Sequence, residues 1–143
     1  MARIWLNFKP NDLPIVTVRI GKDYFKKINS LVFLLIKLFF LKEKFGVDTG
    51  AKYSIITPLI AARYELTISG HGRLAGIVQQ TIIAPTATIS NVSLASVHFE
   101  PFTAFIADIE HLRLGIQMII GVNALRNRRI QIDFSAGKLY ILE

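Results

Sequence analysis

Residues 44–58 read KFGVDTGAKYSIITP, and the carboxylate in the middle of this stretch decides how the chain is read. Phe45 to Val47 and Tyr53 to Thr57 are apolar, β-prone runs, so Asp48 stands where one strand ends and another is about to begin. A charge driven unpaired into a core costs several kcal/mol. Asp48 therefore either caps a turn ahead of Gly50 or is held near the interior for chemistry.

On either side of this stretch the chain reads as short strands. LPIVTVRI, residues 13–20, alternates, with Ile15, Thr17 and Arg19 on one face and Val16, Val18 and Ile20 on the other. TPLIAARYEL, residues 57–66, predicts a short helix with Thr57 as N-cap and Pro58 at the first helical position. Residues 65–89 predict a hairpin whose tip is made pliable by Gly70, Gly72 and Gly76. NVSLASVHFE, FTAFIAD and IQMII are further strands, VNALRNR predicts about two helical turns, and RIQIDF, SAGK and LYILE predict a closing hairpin. Many short strands with one or two small helices predict an all-β barrel or sandwich, in one domain over residues 1–143.

The composition narrows the function classes. The chain has 143 residues, 52% of them apolar, enough for a real core and too apolar for disorder. It has no cysteine, which excludes disulfides and thiolate sites. His71, His98 and His111 lie too far apart for a recognisable metal-ligand spacing, so neither a metal nor another cofactor is expected. The net charge of +7 is spread along the chain apart from RNRR at 126–129 and lysine clusters near 22–27 and 42–44, and no nucleic-acid partner is expected. The opening MARIWLNFKPNDLP lacks the apolar core of a signal peptide, so the expected location is cytoplasmic.

One segment does not fit the β pattern. Residues 28–44, INSLVFLLIKLFFLKEK, hold the run Leu31 to Leu41, broken only by Lys37. As a helix that run is about 16 Å long, half a bilayer's apolar thickness, so it is too short to span one. The expectation is a hydrophobic helical insertion at about 26–43, covered by the barrel, a second subunit or a membrane surface along 28–42, with non-coding sequence translated in error as the alternative.

A lone Asp-Thr-Gly is a weak signal, but here it stands in an ordered context. FGVDTGAKYSII, then ISGHGRLAGIV, then MIIGVNALRN and the tail IQIDFSAGKLYIL follow the opening strand LPIVTVRI in a fixed order. This order resembles the retropepsin-like aspartic proteases: retroviral proteases, their retrotransposon relatives and the cellular single-domain forms. The resemblance covers nearly all of residues 13–142 except roughly 25–43, and it implies a closed retropepsin-like barrel.

It also implies an aspartic endopeptidase in which Asp48 is catalytic, Thr49, Gly50 and Gly121 support the active site, and Ala51 leaves room for substrate. The hairpin tip with His71, Gly72, Leu74, Ala75, Gly76 and Ile77 matches the flap that covers the substrate. Two carboxylates held side by side share one proton, so one serves as base and the other as acid. The chain carries a single Asp-Thr-Gly, so the resemblance implies a homodimer with Asp48 contributed by each copy. It further implies that RIWLNF and LYILE interleave between subunits. Asp108 and Asp133 read as structural, because neither precedes a Thr/Ser-Gly pair. Lys52 and Val122 depart from the acidic residue and the arginine that retroviral proteases carry at these places. Two rivals stand beside this reading: a non-catalytic binding or dimerisation module with the same fold, and a membrane-associated protein anchored through residues 28–42.

Overall fold

A computed structural model describes residues 3–20, 42–75, 80–94 and 96–142. The expected insertion at 26–43 falls mainly outside them, as do Gly76 and Ile77 of the hairpin tip. The described chain runs β1 (Arg3–Asn7), β2 (Ile15–Ile20), β3 (Lys42–Val47), β4 (Ser54–Ile56), α1 (Pro58–Arg63), β5 (Ile68–Leu74), β6 (Ile82–Ile89), β7 (Val92–Leu94) and β8 (Val97–His98). It continues with β9 (Phe102–Ile106), a 3-10 turn at Glu110–Leu112, β10 (Met118–Ile120), α2 (Val122–Leu125), β11 (Arg129–Asp133) and β12 (Lys138–Leu142). Thr57 caps α1, its hydroxyl accepting from the Ile60 N–H, with Pro58 in the first turn. Only one turn forms at α2, because the chain leaves it at Arg126 to enter β11.

Nine strands form one sheet in the order β5-β6-β9-β4-β10-β3-β2-β7-β8, and β1-β12-β11 form a second. The resemblance implied a closed barrel, but among the described residues the nine-stranded ladder is open, with β5 and β8 at its ends. The core is instead completed by packing of the small sheet: Leu139 and Ile141 of β12 join Phe8, Val16, Phe45, Ile89 and Ile120 in the main apolar cluster. A second cluster gathers Ile55, Leu74, Ala84, Phe105, Ile116 and Ile119. β4 and β10 lie between the two clusters, Ile56 and Ile120 facing one while Ile55 and Ile119 face the other. Burial on both faces is why these strands read as unbroken apolar runs rather than alternating ones.

The terminal strands meet within the chain. β1 pairs with β12 over five residues, from Arg3↔Leu142 to Asn7↔Lys138. The connection out of β1 is short and tied down, which favours the intrachain pairing. Phe8 N–H donates to Gly137 O at 2.8 Å and Asn11 N–H to Phe134 O at 2.7 Å, while the Phe8 and Phe134 rings meet edge to face. Gly137 has φ +62°, and a Cβ there would run into Phe8 O, so glycine is required at this turn.

β2 and β3 form an antiparallel hairpin in continuous register, from Ile15↔Gly46 to Arg19↔Lys42. Lys42 and Glu43, assigned from sequence to the insertion, belong to β3. Among the described residues no helix is long and apolar enough to cross a membrane.

Two outcomes are expected from this architecture. Replacing residues 21–40 with Asn-Gly leaves the β2–β3 register intact, because a two-residue turn suits strands so paired. Soluble yield should rise, and the circular-dichroism melting temperature should be no lower than the parent's. The Ala136 N–H, and after it the Ser135 hydroxyl, hold the Asp133 carboxyl below its ordinary value of 3.8. A lowered folded pKa contributes stability above the unfolded value, which disappears as pH falls through the folded one. Asp133→Ala should therefore lower the melting temperature at pH 7, and the gap to the parent should close as pH falls below the ordinary value of 3.8.

Candidate active site

The loop between β3 and β4 carries Asp48, Thr49, Gly50, Ala51, Lys52 and Tyr53. β10 lies between the two strands that the loop joins, parallel to β3 and antiparallel to β4. The chain leaving β10 therefore passes directly beneath the loop. Three backbone bonds fasten the crossing: Asp48 N–H to Ile120 O at 3.0 Å, Val122 N–H to Ala51 O at 2.8 Å, and Asn123 N–H to Lys52 O at 3.1 Å. A Cβ on Gly121 would lie 2.6 Å from the Tyr53 carbonyl carbon and oxygen and 2.8 Å from Ala51 O. All of these are backbone atoms that cannot swing aside, so only glycine fits.

Beneath the crossing lies a buried polar knot. Ser54 is 0% exposed. Its hydroxyl accepts from Gly121 N–H at 3.0 Å and donates to Asn123 Oδ1 at 2.9 Å. The Ser54 N–H donates to the same Oδ1 at 2.9 Å, and Asn123 Nδ2 donates to Thr103 O at 2.6 Å. Two side chains thus join β4, the entry to α2 and β9. Among the described residues no buried side-chain nitrogen or oxygen is left without a partner, as buried polar groups require.

The Asp48 carboxylate stands above this base. It is exposed, and its Oδ1 accepts from Gly50 N–H at 2.9 Å. A Cβ on Gly50 would come within 3.2 Å of that oxygen, so glycine lets the backbone approach it. Thr49 is also exposed, and its hydroxyl has no hydrogen bond among the described residues. Asp108 makes the same kind of turn bond as Asp48, accepting from Glu110 N–H at 2.8 Å, while Asp133 accepts from Ala136 N–H at 2.9 Å and Ser135 Oγ at 2.7 Å.

The β5–β6 hairpin reaches the Asp48 loop through aromatic packing. Gly72 pairs with Ala84, and a Cβ on it would lie 3.0 Å from the Phe105 ring. Phe105 meets Tyr53 edge-on at 5.5 Å between centroids. Leu74 is buried in the same cluster, against which Ala51 packs half-buried, whereas His71 and Ala75 are exposed.

The sequence profile of the aspartyl protease family matches residues 42–124, more than half of the chain and all of the crossing. The chain belongs to the aspartyl protease family. A solved structure agrees on the fold. A retropepsin-like aspartic protease from Rickettsia conorii superposes with a TM-score of 0.58 at 16% identity, covering 98% of this chain and 90% of that one. The retroviral protease-like domain of Ddi1 from Leishmania major gives a TM-score of 0.49 at 17% identity, covering 95% of each chain. No curated protein matches by sequence.

Within this aspartyl protease chain the structure brings Asp48, Gly50, Ala51 and Gly121 together at the crossing, and sets Gly72 and Leu74 on the neighbouring hairpin. Gly76 and Ile77 lie outside the described residues. Sequence reasoning missed Ser54 and Asn123. The available signals were a serine inside the apolar run Tyr53 to Ile56 and an amide two residues after Gly121. A cavity of about 580 Å³ opens elsewhere, between Pro58, Asp108, Arg113 and Gln117, and no residue of the Asp48 loop lines it. Among the described residues no three His, Asp or Glu side chains gather as a metal site would need. Asn123→Ala should leave the buried Ser54 N–H without its acceptor and lower stability by about 1–3 kcal/mol, read as a lower urea midpoint with unchanged slope.

Proposed function

We propose that this protein is an aspartic endopeptidase that assembles as a homodimer, with Asp48 of each copy forming one catalytic pair. The observation that carries the reading is a single exposed carboxylate on a rigidly fastened loop. The aspartic mechanism of peptide hydrolysis uses two carboxylates sharing one proton. The chain carries one Asp-Thr-Gly, and neither Asp108 nor Asp133 precedes a Thr/Ser-Gly pair, so a twofold axis at the Asp48 loop is the simplest source of the second group.

In this reading the ionised member takes a proton from a water held between the pair, and the oxygen attacks the scissile carbonyl carbon. The protonated member gives its proton to the carbonyl oxygen, producing a tetrahedral diol. On collapse the member holding the water's proton passes it to the amide nitrogen, which leaves as an amine, while a diol hydroxyl gives its proton to the other member and becomes the new carboxyl's carbonyl, so the pair again shares one proton. Gly50 supplies an N–H to one Asp48 oxygen, and Gly121 sets the loop's height. The exposed Thr49 hydroxyl is free to meet the loop of the second copy. The β5–β6 hairpin, with His71, Gly72 and Leu74, covers an extended peptide and excludes water.

Asp48→Asn keeps the shape and removes the shared proton. Peptide cleavage should fall by about a thousandfold or more, with the circular-dichroism spectrum and sedimentation of the parent retained. Specific activity should also drop on dilution through the dimer's dissociation range. Near-parental cleavage by Asp48→Asn would sink the catalytic assignment, and constant specific activity from a sedimenting monomer would sink the dimer.

A further inference from the structure

Lys52 follows Asp48 by four residues, is exposed, and forms no ion pair among the described residues. Its ammonium is nevertheless located by packing. Nζ lies 5.2 Å from the centroid of the Tyr53 ring, within the range of a cation–π contact. Tyr53, 42% exposed, meets Phe105 edge-on, and Phe105 lies against Gly72 of the β5–β6 hairpin. A continuous line of Lys52, Tyr53, Phe105 and Gly72 thus runs from the Asp48 loop to the tip-ward half of the hairpin's first strand. A peptide lying across Asp48 and under that hairpin passes along this line.

Reach and charge then limit what such a peptide presents. Four residues of chain span at most about 14 Å, which an extended peptide covers in about four residues. The chain carries a net charge of +7, which favours the approach of acidic chains. We propose that Lys52 is a specificity-determining residue that selects substrates with an Asp or Glu side chain within about four residues of the scissile bond. This inference rests on the endopeptidase reading above. In the proposed homodimer the twofold axis repeats the cation, so the acidic preference falls on both sides of the bond. Tyr53 contributes by holding the ammonium in place before substrate arrives, which limits the ordering needed on binding.

The test is a cleavage profile of a degenerate decapeptide library, read by mass spectrometry with the parent protein, Lys52→Met and Lys52→Glu. For the parent, Asp and Glu should be enriched over Asn and Gln about three- to fivefold at one or more positions flanking the cut, as suits an exposed ion pair. The enrichment should shrink at 0.5 M salt. Lys52→Met should bring it to about one, and Lys52→Glu should replace it with enrichment of Lys and Arg. A merely structural lysine would not produce that reversal. Equal use of acidic and amide side chains by the parent, or an acidic preference that survives Lys52→Met, would overturn the assignment. If the parent cleaves nothing, the endopeptidase reading fails, and Lys52 is then judged by binding. Fluorescence anisotropy with labelled decapeptides differing only in Glu or Gln should favour Glu for the parent and disfavour it for Lys52→Glu. Equal affinities would overturn the proposal.

Discussion

Two stretches of backbone cross at van der Waals distance where Gly121 runs beneath the loop from Asp48 to Tyr53, and the rest of the architecture depends on that crossing. There is no space between them for even a methyl group. The approach is possible because β10 occupies the slot between β3 and β4, so the loop must arch over the strand's end. Hydrogen bonds from Asp48, Val122 and Asn123 then hold the arch at a fixed height. A carboxylate on such a loop has little freedom to drift, as chemistry sensitive to displacements of an ångström requires.

The crossing places buried polar backbone at the ends of β4 and β10, the strands whose side chains divide between the two apolar clusters. Burying unpaired amides there would cost more than the fold could sustain. Ser54 and Asn123 remove the difficulty by supplying acceptors and donors from inside. The knot also makes the site directional, since each of its bonds ends on a different strand or turn. A partly satisfied version would be worse than an apolar core, so its members act as a unit.

The outer side of the loop has the opposite character. Asp48, Thr49 and Lys52 are exposed, and Tyr53 is partly so. A well-braced underside and an open, polar upper side suit a surface completed by something else. In the proposed function a second copy and a peptide supply what is missing. The aromatic line from Tyr53 through Phe105 to Gly72 couples the loop to the hairpin, so a peptide would meet both through one continuous surface.

Much of this was legible from residue order. Alternation in Ile15 to Ile20, the Thr57-Pro58 start of α1 and the glycines of the hairpin are local signals, set by side-chain period and backbone sterics. Asp48, Gly50 and Gly121 could be named because their spacing relative to apolar runs resembles a known family. Pairings between distant segments were not legible. That Ser54 and Asn123 share bonds 69 residues apart depends on β10 entering between β3 and β4. That β1 folds back on β12 of its own chain depends on the bonds and ring contact of the Phe8 connection, whereas composition allowed either pairing. By itself the sequence determined the strands and turns and marked Asp48 as the candidate carboxylate, because these rest on neighbours along the chain. Only the tertiary structure decided the open ladder, the crossing at Gly121 and the position of Lys52 on Tyr53, because these rest on contacts in space that no local period encodes.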